Sequence, residues 1–162
     1  MNHKADAVFV PLAIAVLTVS DTRTFDNDTS GQLLVDRLTA VGHQLAQRVL
    51  LKDDLYKIRA QVAQWIAEDA VQVVIITGGT GFTARDSTPE AVACLLDKQV
   101  DGFGELFRQI SVADIGTSSM QSRALAGLAA VFGGLRAGLV GVDEKLRQAL
   151  QEGTEGFEIR GA

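Results

Sequence analysis

The segment Val71-Gln-Val-Val-Ile-Ile76, which runs directly into Thr77-Gly-Gly-Thr-Gly81, limits this chain more than any other feature. Apolar β-branched residues at consecutive positions, rather than alternate ones, need cover on both faces. A parallel sheet with helices on each side supplies it. Leu12 to Val19 reads the same way and ends in Ser20-Asp21. Glycines directly after a buried strand allow positive φ and let backbone N–H groups come close to an anion, so Thr77 to Gly81 reads either as a phosphate cradle or as a tight turn.

Helical patterns fill the gaps between strands. Asp28-Thr-Ser-Gly31 offers N-cap chemistry, and Leu33, Leu34, Leu38 and Val41 recur at helical spacing until Gly42. A short strand is expected at Gln47 to Leu51, followed by a helix opened by Asp53-Asp54 with Leu55, Ile58, Val62, Trp65 and Ile66 on one face. Trp65 is then core. Ser87 and Glu90 resemble a capping box for a helix running to about Asp97, in which Cys94 reads as a small buried hydrophobe. The fold class expected is α/β, a doubly wound, mostly parallel sheet with helices on both faces and ligands at the carboxyl ends of the strands.

A length of 162 residues suits one domain with a full core. One cysteine and two isolated histidines, His3 and His43, provide neither a disulfide framework nor zinc spacing, which fits a reducing, cytoplasmic setting. Met1 to Val10 has Asp6 near its middle and no apolar core, so a secretory signal is not expected, and no apolar run reaches membrane-spanning length. A net charge of −5 without Lys/Arg clusters argues against nucleic acid as a partner.

The glycine segment is not a P-loop, because no Lys-Ser or Lys-Thr follows it at the required spacing. Gly79, Gly81 and Ala84 match the dinucleotide pattern on paper, but Asp86 and Pro89 interrupt where a helix is needed. Asp86 reads as a turn residue or as an Mg²⁺ ligand, since Mg²⁺ bound with phosphates takes one or two carboxylates and keeps waters. Asp53 reads as a helix-start acid or as the second carboxylate. Glu105–Arg108 and Ser122-Arg123 read as helix-surface pairs.

The blocks Ile14-Ala-Val-Leu-Thr-Val-Ser-Asp21, Asp28-Thr-Ser-Gly31, Thr77-Gly-Gly-Thr-Gly81, Arg85-Asp-Ser-Thr-Pro-Glu90, Gly102-Phe-Gly-Glu105 with Arg108, Ile115-Gly-Thr-Ser118 and Gln121-Ser-Arg123 together resemble the B/Mog family of molybdenum cofactor biosynthesis proteins. The Asp-Thr-Ser-Gly and Ile-Gly-Thr-Ser details are closer to the B branch. The resemblance implies a molybdopterin-binding domain assembled as a homotrimer or homohexamer and working beside other proteins of the pathway. It also implies one of two activities: adenylylation of the pterin phosphate with Mg²⁺ and ATP, or carriage of molybdopterin without chemistry. Carried over by position, Thr77, Gly78, Gly79, Thr80 and Gly81 would cradle the phosphate. Asp53 and Asp86 would be the catalytic and Mg²⁺-binding acids, and Ser20, Asp21, Glu105 and Ser122 would be further substrate contacts.

The match covers about Pro11 to Leu128, giving an arm (1–10), a molybdopterin-binding domain (11–129) and a divergent segment (130–162). The family resemblance implies a further strand and a Pro-Gly-Ser-type turn after Ala129. Val131 to Gly141 is instead glycine-rich, Asp143 to Gln151 reads as a short helix, and Gly153 to Ala162 as a frayed tail. A frameshift in the coding sequence, or a diverged terminus, would each produce such an ending.

Overall fold

In a computed structural model of the protein, the residues described are 9–130, together with the backbone of 136–140. The expected helix at Asp143 to Gln151, the tail after Gly153 and most of the N-terminal arm lie outside them. Strand β1 (Ala13–Val19) leads to helix α1 (Thr29–Ala40), β2 (Gln44–Leu51), α2 (Leu55–Ala67) and β3 (Val73–Thr77). Next come a short α3 (Thr88–Ala93), the two-residue β4 (Lys98–Gln99), α4 (Asp101–Ile115) with a 3₁₀ turn at Gly116–Gln121, then β5 (Leu125–Ala129) and β6 (Arg136–Val140).

The six strands form one sheet in the order β2-β1-β3-β6-β5-β4. β2, β1, β3 and β6 are parallel neighbours, and β5 runs antiparallel to both β6 and β4. The glycine-rich stretch after Val131 therefore contributes a strand that sits between β3 and β5.

Unbroken apolar runs become doubly covered strands because successive side chains point to opposite faces. Ala15, Leu17, Val19, Val74 and Ile76 pack on Ile58, Val62 and Trp65 of α2 and on Ala91 and Val92 of α3. Ile14, Val16, Val73 and Ile75 point the other way, onto Leu34 and Leu38 of α1. Trp65 is fully buried, as expected, and its indole N–H donates to Gln47 Oε1 at 2.8 Å, so the ring's one polar group is satisfied.

The helix ends explain where the loops lie. Asp28 caps α1 by accepting from the Gly31 amide at 2.9 Å, and Gly42, at φ +92°, follows the exit. Asp54 caps α2, accepting from the amides of Tyr56 and Lys57, both at 3.0 Å. Asp53 is thereby free of the capping task. The helix expected to reach Asp97 ends at Ala93, and Cys94 is exposed rather than buried, its thiol donating to the Ala91 carbonyl at 3.5 Å. The helix buries Ala91 and Val92 and stops one residue before Cys94, which the apolar pattern alone does not reveal.

Candidate functional site

β3 ends at Thr77, and the chain turns through Gly78 at φ +95° and Gly79 at φ +65°. Both conformations are strained for any residue with a Cβ, so the glycines are required by the backbone path itself. Space is equally tight. A Cβ on Gly78 would collide with the Val19 carbonyl at the end of β1, and one on Gly79 would overlap the Thr88 hydroxyl and lie 2.6 Å from Asp53 Oδ2. Asp53 follows β2 and Gly79 follows β3, and because both strands pair with β1 their carboxyl ends bring Asp53 and Gly79 together, with Thr88 at the start of α3 beside them.

Asp53 is fixed from the other side of the loop. Its Oδ1 accepts from the Ser87 amide at 3.1 Å and from the Ser87 hydroxyl at 2.8 Å. Ser87 holds the N-cap position of α3 but makes no side-chain capping bond there, so the expected capping box does not form. The hydroxyl is spent on Asp53, and Glu90, its expected partner in the box, pairs with Arg123 instead.

Asp86 belongs mainly to its own turn. Its Oδ2 accepts from the Thr83 amide at 2.9 Å and the Thr83 hydroxyl at 2.6 Å, which is the turn role offered by the sequence. The Thr83 hydroxyl bond, opposed in part by burial and reinforced by the amides of Thr83 and Gly81 and the charge of Arg123, holds its carboxyl below the ordinary range. Asp21, after β1, accepts from the Asp53 amide at 3.3 Å and pairs with Arg85 at 2.6 Å. Ser20 Oγ accepts from the amides of Thr22 and Arg23 at 3.3 and 3.2 Å, shaping the loop after β1.

The sequence reading missed Arg123. Read as half of a surface pair with Ser122, it reaches into the site from the junction before β5. Its Nε donates to the Thr80 carbonyl at 3.2 Å, its Nη2 to the Asp86 carbonyl at 2.7 Å, and its Nη1 pairs with Glu90. One guanidinium therefore ties the glycine loop to the Asp86 loop and to α3, a use of its fixed fork that Lys could not copy. The Gln121-Ser-Arg123 block was the available signal. Thr88, also missed, is fully buried, and among the described residues its hydroxyl finds no hydrogen-bond partner.

Glu105 and Ser122 are not drawn into this group. Glu105 is exposed on α4 and does not pair with Arg108, whose Nη1 donates to the Ser122 carbonyl at 3.1 Å. Gly104 explains the arrangement, since it lets α4 lie so close to β5 that a Cβ there would be 2.6 Å from the Ala124 carbonyl.

Among the described residues no three His, Cys, Asp or Glu side chains gather as a metal cage. Asp53 Oδ2 beside the glycine loop is a single hard donor. That suits an Mg²⁺ carried in on phosphates better than a resident ion.

A doubly wound α/β domain with a positive-φ glycine loop after β3 and an acid after β2, on either side of β1, has the layout of domains that take small ligands at the carboxyl ends of their strands. Residues 15–153 match the family model described as a probable molybdopterin binding domain, and the chain belongs to that family. Among its relatives, molybdenum cofactor biosynthesis protein B of Escherichia coli (strain K12) is 53% identical over 121 residues, 75% of this chain and 71% of the relative. The protein of the same name from Bacillus cereus is 50% identical over 113 residues, 69% of this chain and 67% of the relative.

Solved structures agree. One of a molybdenum cofactor biosynthesis protein B superposes with a TM-score of 0.77 at 39% identity, covering 90% of this chain and 89% of that one. The tungsten cofactor synthesizing protein MoaB from Pyrococcus furiosus gives a TM-score of 0.77 at 27% identity, covering 90% and 91%.

Proposed function

We propose that this chain binds molybdopterin by its phosphate at Thr77 to Gly81 and transfers the adenylyl group of Mg-ATP to it. The reading is carried by the convergence of Asp53 on the glycine loop, with Oδ1 locked by Ser87 and Oδ2 turned toward Gly79. Loop amides at positive φ supply donors for phosphate oxygens, and a locked carboxylate needs little reorganisation during transfer. Mg²⁺, when bound with the nucleotide, would neutralise charge shared between the phosphates. Asp53 Oδ2 would orient it. Purified protein with molybdopterin, Mg²⁺ and ATP should release pyrophosphate, and Asp53→Asn should remove that release. Turnover unchanged in the variant would sink the assignment of Asp53.

The non-catalytic alternative has an observation of its own. Asp86, the second expected metal ligand, is committed to Thr83 and to the Gly81 amide, which favours a carrier that holds molybdopterin without chemistry. Calorimetry with molybdopterin and Mg-ATP separately divides the two readings, because a carrier binds the first and not the second.

We further propose a cytoplasmic homotrimer or homohexamer working with other proteins of molybdenum cofactor biosynthesis. Leu106, Ile110, Val112 and Ile115 on α4 are 36–54% exposed, more apolar surface than one helix of a monomer ordinarily shows, and this supports self-association. Light scattering that finds only monomer would refute it. Among the described residues no helix is long and apolar enough to cross a membrane.

A further inference from the structure

Phe82 follows the glycine loop directly and is 71% exposed, although it lies beside the most constrained part of the molecule. Its ring is not loose. The Arg123 guanidinium lies over it, 5.6 Å from the ring centre, and is itself anchored to Thr80, Asp86 and Glu90. A cation on one face holds an aromatic ring in a chosen plane. With Arg123 on one side, the exposed area belongs to the other face and the edge. Phe25 and Tyr56 are also exposed and also meet an arginine, but Arg48 and Arg59 do not tie them to the glycine loop. Phe82 alone of the three is joined by its arginine to the carbonyl of Thr80.

We propose that Phe82 is a stacking platform for the planar heterocycle of the ligand whose phosphate occupies the glycine loop, with Arg123 as the positioning residue beneath the ring. The inference rests on the reading of Thr77 to Gly81 as a phosphate cradle. Phe82 directly follows Gly81, the last loop glycine, so phosphate and ring would be held by adjacent pieces of one segment. A flat, preorganised aromatic face gains from a π-system and from little else. It therefore selects ligands that join an anion to a planar ring, whether a pterin or a purine, over bare polyphosphate.

The test uses the full chain and three probes: molybdopterin, Mg-ATP and Mg-tripolyphosphate. In calorimetry Phe82→Leu, which keeps apolar bulk but removes the π-face, should weaken whichever ring-bearing ligand the unaltered protein binds by about tenfold, the size of one aromatic stack. Tripolyphosphate affinity should stay within twofold, and Phe82→Tyr should restore ring binding. Phe82→Trp adds an optical readout, because the one native tryptophan, Trp65, is fully buried and makes a constant background. Its emission should be quenched by molybdopterin or Mg-ATP and not by tripolyphosphate. Which of the two ring ligands quenches it tells pterin from purine. Equal weakening of all probes in Phe82→Leu would reduce Phe82 to a structural residue. Ring-ligand affinity unchanged in Phe82→Leu would overturn the platform alone. Binding of none of the three by the unaltered protein would overturn the phosphate cradle and the platform together.

Discussion

Asp28 and Asp53 both lie near the end of β1, and both look like helix-start acids in the sequence, but the fold uses them in opposite ways. Asp28 is 3% exposed, and both its oxygens are committed: Oδ1 to the Gly31 amide at 2.9 Å, Oδ2 to the Thr18 hydroxyl at 2.8 Å and to Arg48 at 2.9 Å. Burial alone would raise its pKa, yet the hydrogen bonds from Arg48, Gly31 and Thr18 hold it below the ordinary value. Around Asp53 the pattern is incomplete by comparison. One carboxylate oxygen is fixed, the other faces a glycine, and the Thr88 hydroxyl beneath finds no partner among the described residues. A satisfied buried acid fastens the fold, and a half-committed one beside a glycine loop is available to a ligand.

The sharpest way to break this contrast is to remove each acid's surroundings in turn. Asp28→Ala takes the carboxylate from the part-buried Arg48, which keeps Gln32, and also removes the α1 cap, for an expected cost of about 2–3 kcal/mol. Urea unfolding should show that loss while the folded fraction keeps ligand affinity. A change below about 1 kcal/mol by this measure would mean that Asp28 is not the fastener. At the other region, Gly79→Val combines positive φ with a collision against Thr88 and Asp53, for an expected cost of about 2–3 kcal/mol. Molybdopterin binding should vanish in protein that circular dichroism shows to be folded, and retained affinity would return the loop to a plain turn.

Acid titration sharpens the comparison further. Asp28 and Asp86 both have depressed folded-state pKa values, so each contributes stability that is present above the unfolded carboxylate value, about 3.9, and is lost as pH falls through the folded value. Urea midpoints measured between about pH 5 and pH 2 should fall, and Asp28→Asn should flatten that slope more than Asp86→Asn, because Asp86 is more open to water. The reverse order would contradict the buried-fastener reading. The smallest effect belongs to Thr88→Val, which removes an unpartnered buried hydroxyl from an isosteric side chain. Stability should be unchanged or raised by up to about 1 kcal/mol, and a loss of that size would show that the hydroxyl is bonded after all.

Much of the fold was legible because period and burial leave marks in composition. The runs Leu12 to Val19 and Val71 to Ile76 became β1 and β3, and Trp65 fell in the core. Boundaries that depend on a few exposed residues were less legible, as the short α3 and exposed Cys94 demonstrate. The site was legible where a backbone requirement selects a residue type, as at Gly78 and Gly79. It was not legible where one side chain reaches across the sheet. Arg123 lies 37 and 43 positions from the carbonyls it binds, and no local pattern announces such a contact. Ser87 misled for a related reason, since a hydroxyl that could cap its own helix found Asp53 instead.

The place of β6 has a consequence for how the chain assembles. It is the last strand of the sequence among the described residues, yet it sits between β3 and β5. Until residues 136–140 are in place, β2-β1-β3 and β5-β4 are separate pieces with no backbone ladder between them. A ribosome that has delivered only the first 130 residues has made the other five described strands, and the sheet is still in two parts. Closure by a late, non-local strand raises contact order and slows folding, leaving the facing edges of β3 and β5 open to mispairing in the interval. Arg123, next to β5, can reach the glycine loop only once that gap has closed. Docking of Arg123 is therefore a late event in the life of the nascent chain, and truncation before Arg136 would loosen Arg123 from the site while leaving Asp53, Ser87 and the glycine loop on the β2-β1-β3 side.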